Sequence, residues 1–342
     1  MNTTQGLTFS VIMPCYNSEA YVQGALQSIL DQTYPNWELI AINDGSTDDT
    51  LSILTQYASA DSRIKVCSKP NGGYVSAVNL GLEKIKGDYF LLMGSDDALA
   101  SDLFQNLMAV PGNPDVIAFR SVIVQDGQVQ GVERITNFSE TVTAFDTTFA
   151  DFSKAYPGTS DILFTRDTSK AYKRSLLGTI RYFGKYGYDA DGIFSMLLCH
   201  NAASFAAIPA DGYFWTLRSD SLSGRKSSYV QDCDRVKNWT EFYSMLLNME
   251  NSQIAAAEIE YLHYYTGLLQ AAWKIRKPYF AFYSDARTAV ATINRMLERT
   301  GFPLVDSGEL RLLLRFPLLW KLYVTAPAAL HKCLQTIKHA LK

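Results

Sequence analysis

Polar and charged side chains follow four short apolar stretches in the first hundred residues, at the point where each stretch ends. The four segments are Pro14–Asn17, Asn43–Ser46, Lys69–Gly73 and Gly94–Asp97. Each segment alone is equally compatible with turn or helix-capping chemistry, because Asp and Asn are favoured there. Together they offer an aromatic ring, a lysine and several carboxylates. Carboxylate oxygens suit a hard divalent cation that bridges diphosphate oxygens, so the four segments favour a binding site.

The apolar stretches are predicted to be strands, and amphipathic stretches between them are predicted to be helices. The predicted strands are Phe9–Met13, Leu39–Ile42, Ile64–Cys67 and Tyr89–Met93; the predicted helices are 20–31, a helix opened by a capping box at Ser46–Asp49, and 75–84. This alternation is typical of an α/β fold with a mostly parallel sheet. The carboxyl ends of parallel strands meet at one edge, so the four segments should converge.

Composition and motifs exclude several classes of protein. A net charge of −3 over 342 residues gives no general attraction to nucleic acid. No GxxxxGK[ST] is present, and no GxGxxG follows the first strand, which argues against a P-loop and a dinucleotide-binding site. The five cysteines never form a CxxC pair, which predicts a reducing compartment.

The pattern changes after the fourth strand. We predict a fifth strand at Val116–Phe119, a hairpin turn at Asp126–Gly127 and a long loop over 133–160. A helix at Ala190–Cys199 and strands near 204–208 and 213–215 follow. Beyond residue 225 helical periodicity dominates, so we predict two domains, 1–225 and an all-helical 226–342.

Three segments in order resemble the GT-A glycosyltransferases of family 2. They are Met13-Pro-Cys-Tyr-Asn17, Asn43-Asp-Gly-Ser-Thr-Asp48 and Gly87-Asp-Tyr-Phe-Leu-Leu-Met-Gly-Ser-Asp-Asp97, and the resemblance covers about residues 8–225. It implies a Rossmann-like GT-A fold, a nucleotide-sugar donor that is usually a UDP-sugar, a divalent metal (Mn²⁺ or Mg²⁺) and inversion at the anomeric carbon. The family usually has an acid where this chain has Gly94, which could weaken ribose or metal contacts.

The resemblance also implies roles for individual residues. Tyr16 would lie beside the base, Asp44 would accept the hydrogen bond of the uracil imide, and Asp96 would bind the metal with Asp97 adjacent. The nucleotide-sugar-binding residues expected in this way are Pro14, Tyr16, Asn17, Asp44, Lys69, Asn71, Ser95, Asp96 and Arg218. For Lys69, an ordinary solvated lysine is the favoured alternative.

A further segment, Tyr188–Phe194, resembles the family's Glu-Asp-x-x-Phe segment, with Ala190 in place of the Glu. Asp191 then occupies the position of the catalytic base. A sugar hydroxyl is a weak nucleophile, so a carboxylate must take its proton during attack. Asp189 is the rival base, and a helix N-cap is the structural alternative for Asp191. Residues 213–223 resemble another family segment, which places Arg218 near the diphosphate or the acceptor.

The end of the chain is basic and amphipathic. Residues 311–342 contain six Lys or Arg and no acid, with Trp320 among many apolar residues. Such a segment can lie in an anionic membrane interface, while packing in the core or in a homo-oligomer is the alternative of equal weight. No signal peptide and no transmembrane helix is predicted, so we expect a cytoplasmic protein, at the inner face of the cell membrane if the tail binds lipid.

The sequence therefore predicts an inverting, metal-dependent glycosyltransferase that acts on a saccharide or lipid-linked acceptor in bacterial surface polysaccharide synthesis. Two alternatives remain: a nucleotidyltransferase, and a nucleotide-sugar-binding pseudoenzyme in which Gly94 and Ala190 mark lost activity. The sugar, the acceptor, the linkage and the oligomeric state are left open.

Overall fold

The computed structural model describes residues 6–125, 127–132, 140–147, 151–152, 155, 166–182 and 189–218, with positions 238 and 291. The chain divides into two compact units, Met1–Lys226 and Ser227–Lys342. Apart from positions 238 and 291, the predicted helices of the second unit lie outside the described residues, as do the basic tail and the predicted boundary near 225. No helix in the described part is long and apolar enough to span a membrane.

The described part of the first unit includes ten strands and five α-helices. The strands are β1 Phe9–Cys15, β2 Trp37–Asp44, β3 Ile64–Lys69, β4 Tyr89–Leu92, β5 Ala98–Leu99, β6 Val116–Gln125, β7 Gln128–Val132, β8 Val142–Phe145, β9 Lys170–Lys173 and β10 Ser204–Thr216. The helices are α1 Val22–Leu30, α2 Thr50–Ala60, α3 Tyr74–Leu82, α4 Leu103–Met108 and α5 Ala190–Asn201.

These strands form one mixed sheet in the order β3-β2-β1-β4-β9-β6-β10-β5, with β7 paired to β6 and β8 to β10. Strands β1 to β4 are parallel, as predicted. Strand β9 is antiparallel to both of its neighbours, β4 and β6. Every residue of β2 and β4 is buried, as expected for strands covered on both faces. The carboxyl ends of β1 to β4 therefore lie at one edge of the sheet.

Three predictions for the second half of the sheet need correction. Strand β9 was missed, because its sequence Lys-Ala-Tyr-Lys shows little apolar character. Strand β8 occupies part of the predicted long loop 133–160. The two strands predicted near 204–208 and 213–215 are one continuous strand, β10, with irregular register against β6 between Ala207 and Tyr213. The predicted hairpin is confirmed, since Gln125 pairs with Gln128.

The predicted capping box is also wrong. Helix α2 begins at Thr50 after Asp49, with no side-chain capping bond. Ser46 Oγ instead accepts a hydrogen bond from the main-chain N–H of Asn17 at 3.1 Å. The Ser46 hydroxyl thus joins the loop after β2 to the loop after β1 instead of starting a helix.

Candidate active site

Asp44, at the end of β2, organises the loop that follows β3. Its side chain is buried, and its carboxylate forms an ion pair with the Lys69 ammonium. The same carboxylate accepts hydrogen bonds from the main-chain N–H groups of Gly72 at 2.9 Å and Gly73 at 2.8 Å. Two of these three donors reach Oδ1 and one reaches Oδ2, so Oδ2 retains capacity for another donor. The favoured alternative of a solvated Lys69 is wrong, because this side chain is only 19% exposed and paired.

Hydrogen bonds of Asn17 join the loop after β1 to the loop after β2. Its amide oxygen accepts a hydrogen bond from the Thr47 N–H at 2.8 Å, and its φ of 48° lies in the left-handed region that Asn tolerates. The neighbouring Tyr16 ring is 52% exposed. An exposed aromatic ring beside a fixed loop offers a flat surface on which a planar ligand can stack.

Asp97, after β4, is held by strand β10. Its Oδ2 accepts a hydrogen bond from the Tyr213 hydroxyl at 2.5 Å, and its Oδ1 accepts one from the Thr216 N–H at 2.8 Å. The Tyr213 oxygen in turn accepts the Gly94 N–H at 3.1 Å. Burial, followed by the charge of Asp96, raises the pKa of Asp97 to about 7. Nearby, the hydroxyls of Ser95 and Ser18 are 2.7 Å apart.

Gly94 leaves the space that the two following carboxylates occupy. A Cβ at this position would lie 2.5 Å from Asp97 Oδ2 and 3.0 Å from Asp96 Oδ1. Carbon and oxygen do not approach so closely, so any side chain at position 94 would displace Asp97 from its hydrogen bonds. The glycine that stands here instead of the family's usual acid therefore makes room for the carboxylates of Asp96 and Asp97.

Asp96 faces Arg218, which follows β10. The guanidinium nitrogen Nη2 lies 2.8 Å from Asp96 Oδ2, and the same guanidinium carbon lies 4.0 Å from the Tyr21 ring centre. Both charged side chains remain about a fifth exposed. Arg218 thus lies beside Asp96, and its expected contact with the diphosphate or the acceptor stays a prediction.

The carboxylates at this edge could supply one or two of the ligands of a divalent cation. No group of three or more His, Cys, Asp or Glu within the described ranges could hold a metal. Asp97 already accepts a hydrogen bond on each oxygen, whereas the Asp96 side chain pairs with Arg218 through Oδ2 and stays about a fifth exposed. A Mg²⁺-like ion is often held by one or two carboxylates with substrate phosphates supplying other ligands. Asp96 fits such a ligand better than Asp97 does.

Asp191 lies in the first turn of α5, two residues after Asp189, which adopts the left-handed conformation at φ 57°. Helix α5 leads into β10, so its N-terminus lies at the carboxyl edge of the sheet. Burial, followed by the charge of Asp189, raises the pKa of Asp191 to about 6. Ala190, where the family usually has Glu, is fully buried.

The sequence interpretation missed two buried charged residues and one half-buried tyrosine close to Asp191. They are Tyr74 at the start of α3, Asp167 before β9, and Lys170 in β9; the Tyr74 hydroxyl donates to Asp167 Oδ2 at 3.2 Å. Burial and the charges of Asp167 and Asp191 raise the pKa of Tyr74 well above its usual value. A Tyr directly after the Gly72-Gly73 pair was the available signal, but no pattern marked Lys170 as buried.

Comparison with known proteins supports the family assignment. The sequence model described as Glycosyl transferase family 2 matches residues 10–181, which is half of the chain. An uncharacterized glycosyltransferase of Haemophilus influenzae is 46% identical over 94 residues, 27% of this chain and 38% of the relative. TuaG of Bacillus subtilis, a putative teichuronic acid biosynthesis glycosyltransferase, is 43% identical over 94 residues, 27% of this chain and 37% of the relative. The matches thus span less than half of these relatives.

A solved structure matches over most of the chain. Residues 1–349 of TarS from S. aureus, in complex with UDP-GlcNAc, match with a TM-score of 0.68 at 20% identity, covering 93% of this chain and 89% of that chain. The predicted GT-A fold is thereby confirmed for the described part of the chain. With the family match over residues 10–181, the chain belongs to glycosyl transferase family 2.

Proposed function

We propose that this chain transfers a sugar from a UDP-sugar to a hydroxyl of a saccharide or lipid-linked acceptor, with inversion at the anomeric carbon. The observation that carries the proposal is the position of Asp191. Asp191 is half-buried and lies in the first turn of α5, at the edge of the sheet where Asp44 and Asp96 also lie. A base needs a pKa near the working pH, and a value of about 6 leaves Asp191 mostly ionised at neutral pH.

The donor would bind across the loops after β1 to β4. The uracil ring would stack on exposed Tyr16 and donate its imide N–H to the oxygen of Asp44 that has spare capacity. Pro14, Asn17, Lys69, Asn71 and Ser95 would line or support this pocket. Arg218 would contact the diphosphate, whose negative charge increases as the bond to the sugar breaks.

Asp96 would hold a divalent cation, Mn²⁺ or Mg²⁺, with Asp97 fixed behind it by Tyr213. When bound, such a cation neutralises charge on the leaving diphosphate. The acceptor oxygen attacks the anomeric carbon from the face opposite the diphosphate and loses its proton to Asp191. One bond forms as the carbon–diphosphate bond breaks, so UDP leaves and the configuration inverts.

The cellular context is proposed from the relatives. TuaG is named for teichuronic acid biosynthesis, and TarS was crystallised with UDP-GlcNAc. A role in bacterial surface polysaccharide synthesis, at the cytoplasmic face of the membrane, agrees with both. We keep the proposal that residues 311–342 bind the membrane, since they carry six cations and no acid.

Release of UDP tests the proposed function. The full chain would be incubated with Mn²⁺ and each of UDP-Glc, UDP-Gal, UDP-GlcNAc and UDP-GalNAc. Asp191→Asn should lower turnover by ~10²-fold or more with donor affinity retained, as expected for loss of a general base. Asp189→Asn is the matched control and should retain turnover. Loss of activity in Asp189→Asn alone would assign the base to the other carboxylate, and binding without turnover for any donor would favour a pseudoenzyme.

A further inference from the structure

Two buried side chains of opposite charge, Asp167 and Lys170, lie just before β9 and at its first residue. Lys170 is fully buried, and Asp167 is 2% exposed. The Lys170 ammonium donates to the main-chain oxygens of Arg166 and Thr168, which are neutral acceptors. Burial of a charge is costly unless an opposite charge is near, so Lys170 depends on nearby carboxylates for compensation.

Strand β9 contacts helix α5, and this contact orients Lys170 of β9 toward Asp191 of α5. The Tyr172 hydroxyl donates to Ser195 Oγ at 2.9 Å, which joins the two elements. Lys170 and Tyr172 are two residues apart in a strand and share a face. Asp191 and Ser195 are four residues apart in a helix and also share a face. The faces that carry Lys170 and Asp191 are therefore turned toward each other.

The electrostatic effects on each group agree with this placement. Burial raises the pKa of Asp191, Asp189 adds to the rise, and Arg166 and Lys170 oppose it. Burial also raises the pKa of Asp167, and the charge of Asp191 raises it further. Burial lowers the pKa of Lys170, against the opposing influence of Cys199, Asp167 and Asp191.

We propose that Lys170 and Asp167 are positioning residues that shift the ionisation of Asp191 in opposite directions. The ammonium of Lys170 favours the ionised Asp191, whereas the carboxylate of Asp167 disfavours it. Tyr74, from the helix that begins beside the Asp44 loop, fixes Asp167 through its hydrogen bond. The proposal rests on the proposed function, in which Asp191 takes the proton of the acceptor.

The groups that face this pair come from every neighbouring element. Besides the two positioning residues, they are Tyr74 from α3, Arg166 before β9, Tyr172 in β9, Asp189 before α5, and Cys199 in α5. Within the described part of the chain, the cations of this set are Lys170 and Arg166. Removing Lys170 therefore leaves Arg166 as the cation of this set, beside the carboxyl groups of Asp167 and Asp189.

Direct titration of Asp191 tests the proposal without any substrate. The full chain, labelled with ¹³C at the Asp carboxyl carbons, would be followed by NMR from pH 4 to pH 8, and Asp191→Asn would assign the resonance. Lys170→Met should raise the midpoint by about one pH unit or more, because it removes a buried cation. Asp167→Asn should lower the midpoint by a smaller amount, because the pKa of Asp167 is raised to about 7 and this carboxyl is only partly ionised while Asp191 titrates. The Asn side chain keeps an oxygen that accepts from Tyr74.

Lys173→Met is the matched control, since Lys173 lies in the same strand but is 38% exposed and pairs with Asp115. It should leave the Asp191 midpoint unchanged. The double variant of Lys170 and Asp167 should return the midpoint toward the original value. Midpoints that do not move, or that move in the same direction in both single variants, would overturn the proposal. Failure of the proposed function would appear separately, as full turnover in Asp191→Asn.

Discussion

Replacing Asp191 with Asn should slow turnover and also stabilise the folded chain above pH 6. The carboxyl of Asp191 has a pKa of about 6 in the folded chain against an ordinary 3.8, because burial and Asp189 disfavour its charge. Between these two pH values the folded chain retains a proton that the unfolded chain has lost. Stability therefore falls as the pH rises through this window and stays reduced above it. Asn carries no charge and avoids this loss.

The size of the effect follows from the displaced ionisation. A rise from 3.8 to about 6 corresponds to at most about 3 kcal/mol against the ionised folded form. Solvent reaches part of the Asp191 side chain, so we expect a gain of roughly 1–2 kcal/mol for Asp191→Asn at pH 8. The attraction of Lys170 and Arg166 lowers the pKa of Asp191, and the value of about 6 already includes this opposing effect. Below pH 4 the gain should vanish, since Asp191 is then neutral in both states.

Urea unfolding of both chains at several pH values from 4 to 8 measures this difference. Asp189→Asn serves as the comparison, because Asn tolerates the left-handed conformation at that position and the same charge is removed two residues away. It should give a smaller gain and retain turnover. The reasoning is refuted if Asp191→Asn loses stability at pH 8, or if its gain is larger at pH 4 than at pH 8.

Three further variants test other parts of the chain. Asp96→Ala should abolish Mn²⁺-dependent UDP binding, measured by calorimetry, with an unchanged melting temperature, whereas Asp31→Ala at the end of α1 should retain binding. Gly94→Ala should lower the free energy of unfolding by about 1–3 kcal/mol, measured in urea, because its Cβ would displace the Asp97 carboxylate. Deleting residues 311–342 should release the chain from anionic liposomes at low salt without loss of UDP binding; aggregation of the shortened chain would instead indicate core packing.

The first half of the sheet could be predicted because its strands are buried on both faces. The buried strands β2 and β4 contain the continuous apolar runs Leu39–Ile42 and Tyr89–Leu92, and the helices between them show a clear amphipathic period. Strand β9 could not be predicted, because it places a lysine in the interior. Strand β10 contains Pro209 and Gly212, which normally interrupt a strand, and its irregular register absorbs them.

The candidate site shows the same division. The carboxylates Asp44, Asp96 and Asp191 lie in local motifs that sequence reasoning can find. Their partners come from distant parts of the chain: Tyr213 reaches Asp97 across more than a hundred residues, and Tyr74 reaches Asp167 across ninety-three. Such pairs depend on strand order, which a single sequence does not display. The interpretation of Lys69 failed for the same reason, since only the pairing of β2 with β3 brings it to Asp44.

The ion pair between Arg218 and Asp96 should couple the binding of UDP to the binding of the metal. Asp96 is the best-placed carboxylate for a metal, yet a cation already lies 2.8 Å from it. A diphosphate would attract Arg218 away from Asp96 and at the same time supply oxygens to the metal. Binding of UDP and of Mn²⁺ should then be mutually favourable, and the coupling must be the same in both directions.

Calorimetry on the full chain would measure this coupling. We expect Mn²⁺ to bind at least about fivefold more tightly when UDP is present, within the usual range for coupled sites. In Arg218→Met the competing cation is gone, so Mn²⁺ alone should bind more tightly than in the original chain while UDP alone binds more weakly. The coupling between UDP and Mn²⁺ should be smaller in that variant, because no arginine moves from Asp96 to the diphosphate when UDP binds. Arg181→Met, which removes a guanidinium that contacts the oxygens of Gly178 and Ile180, is the control and should change neither affinity. If Mn²⁺ alone bound Arg218→Met no better than the original chain, Arg218 would not be competing with the metal for Asp96.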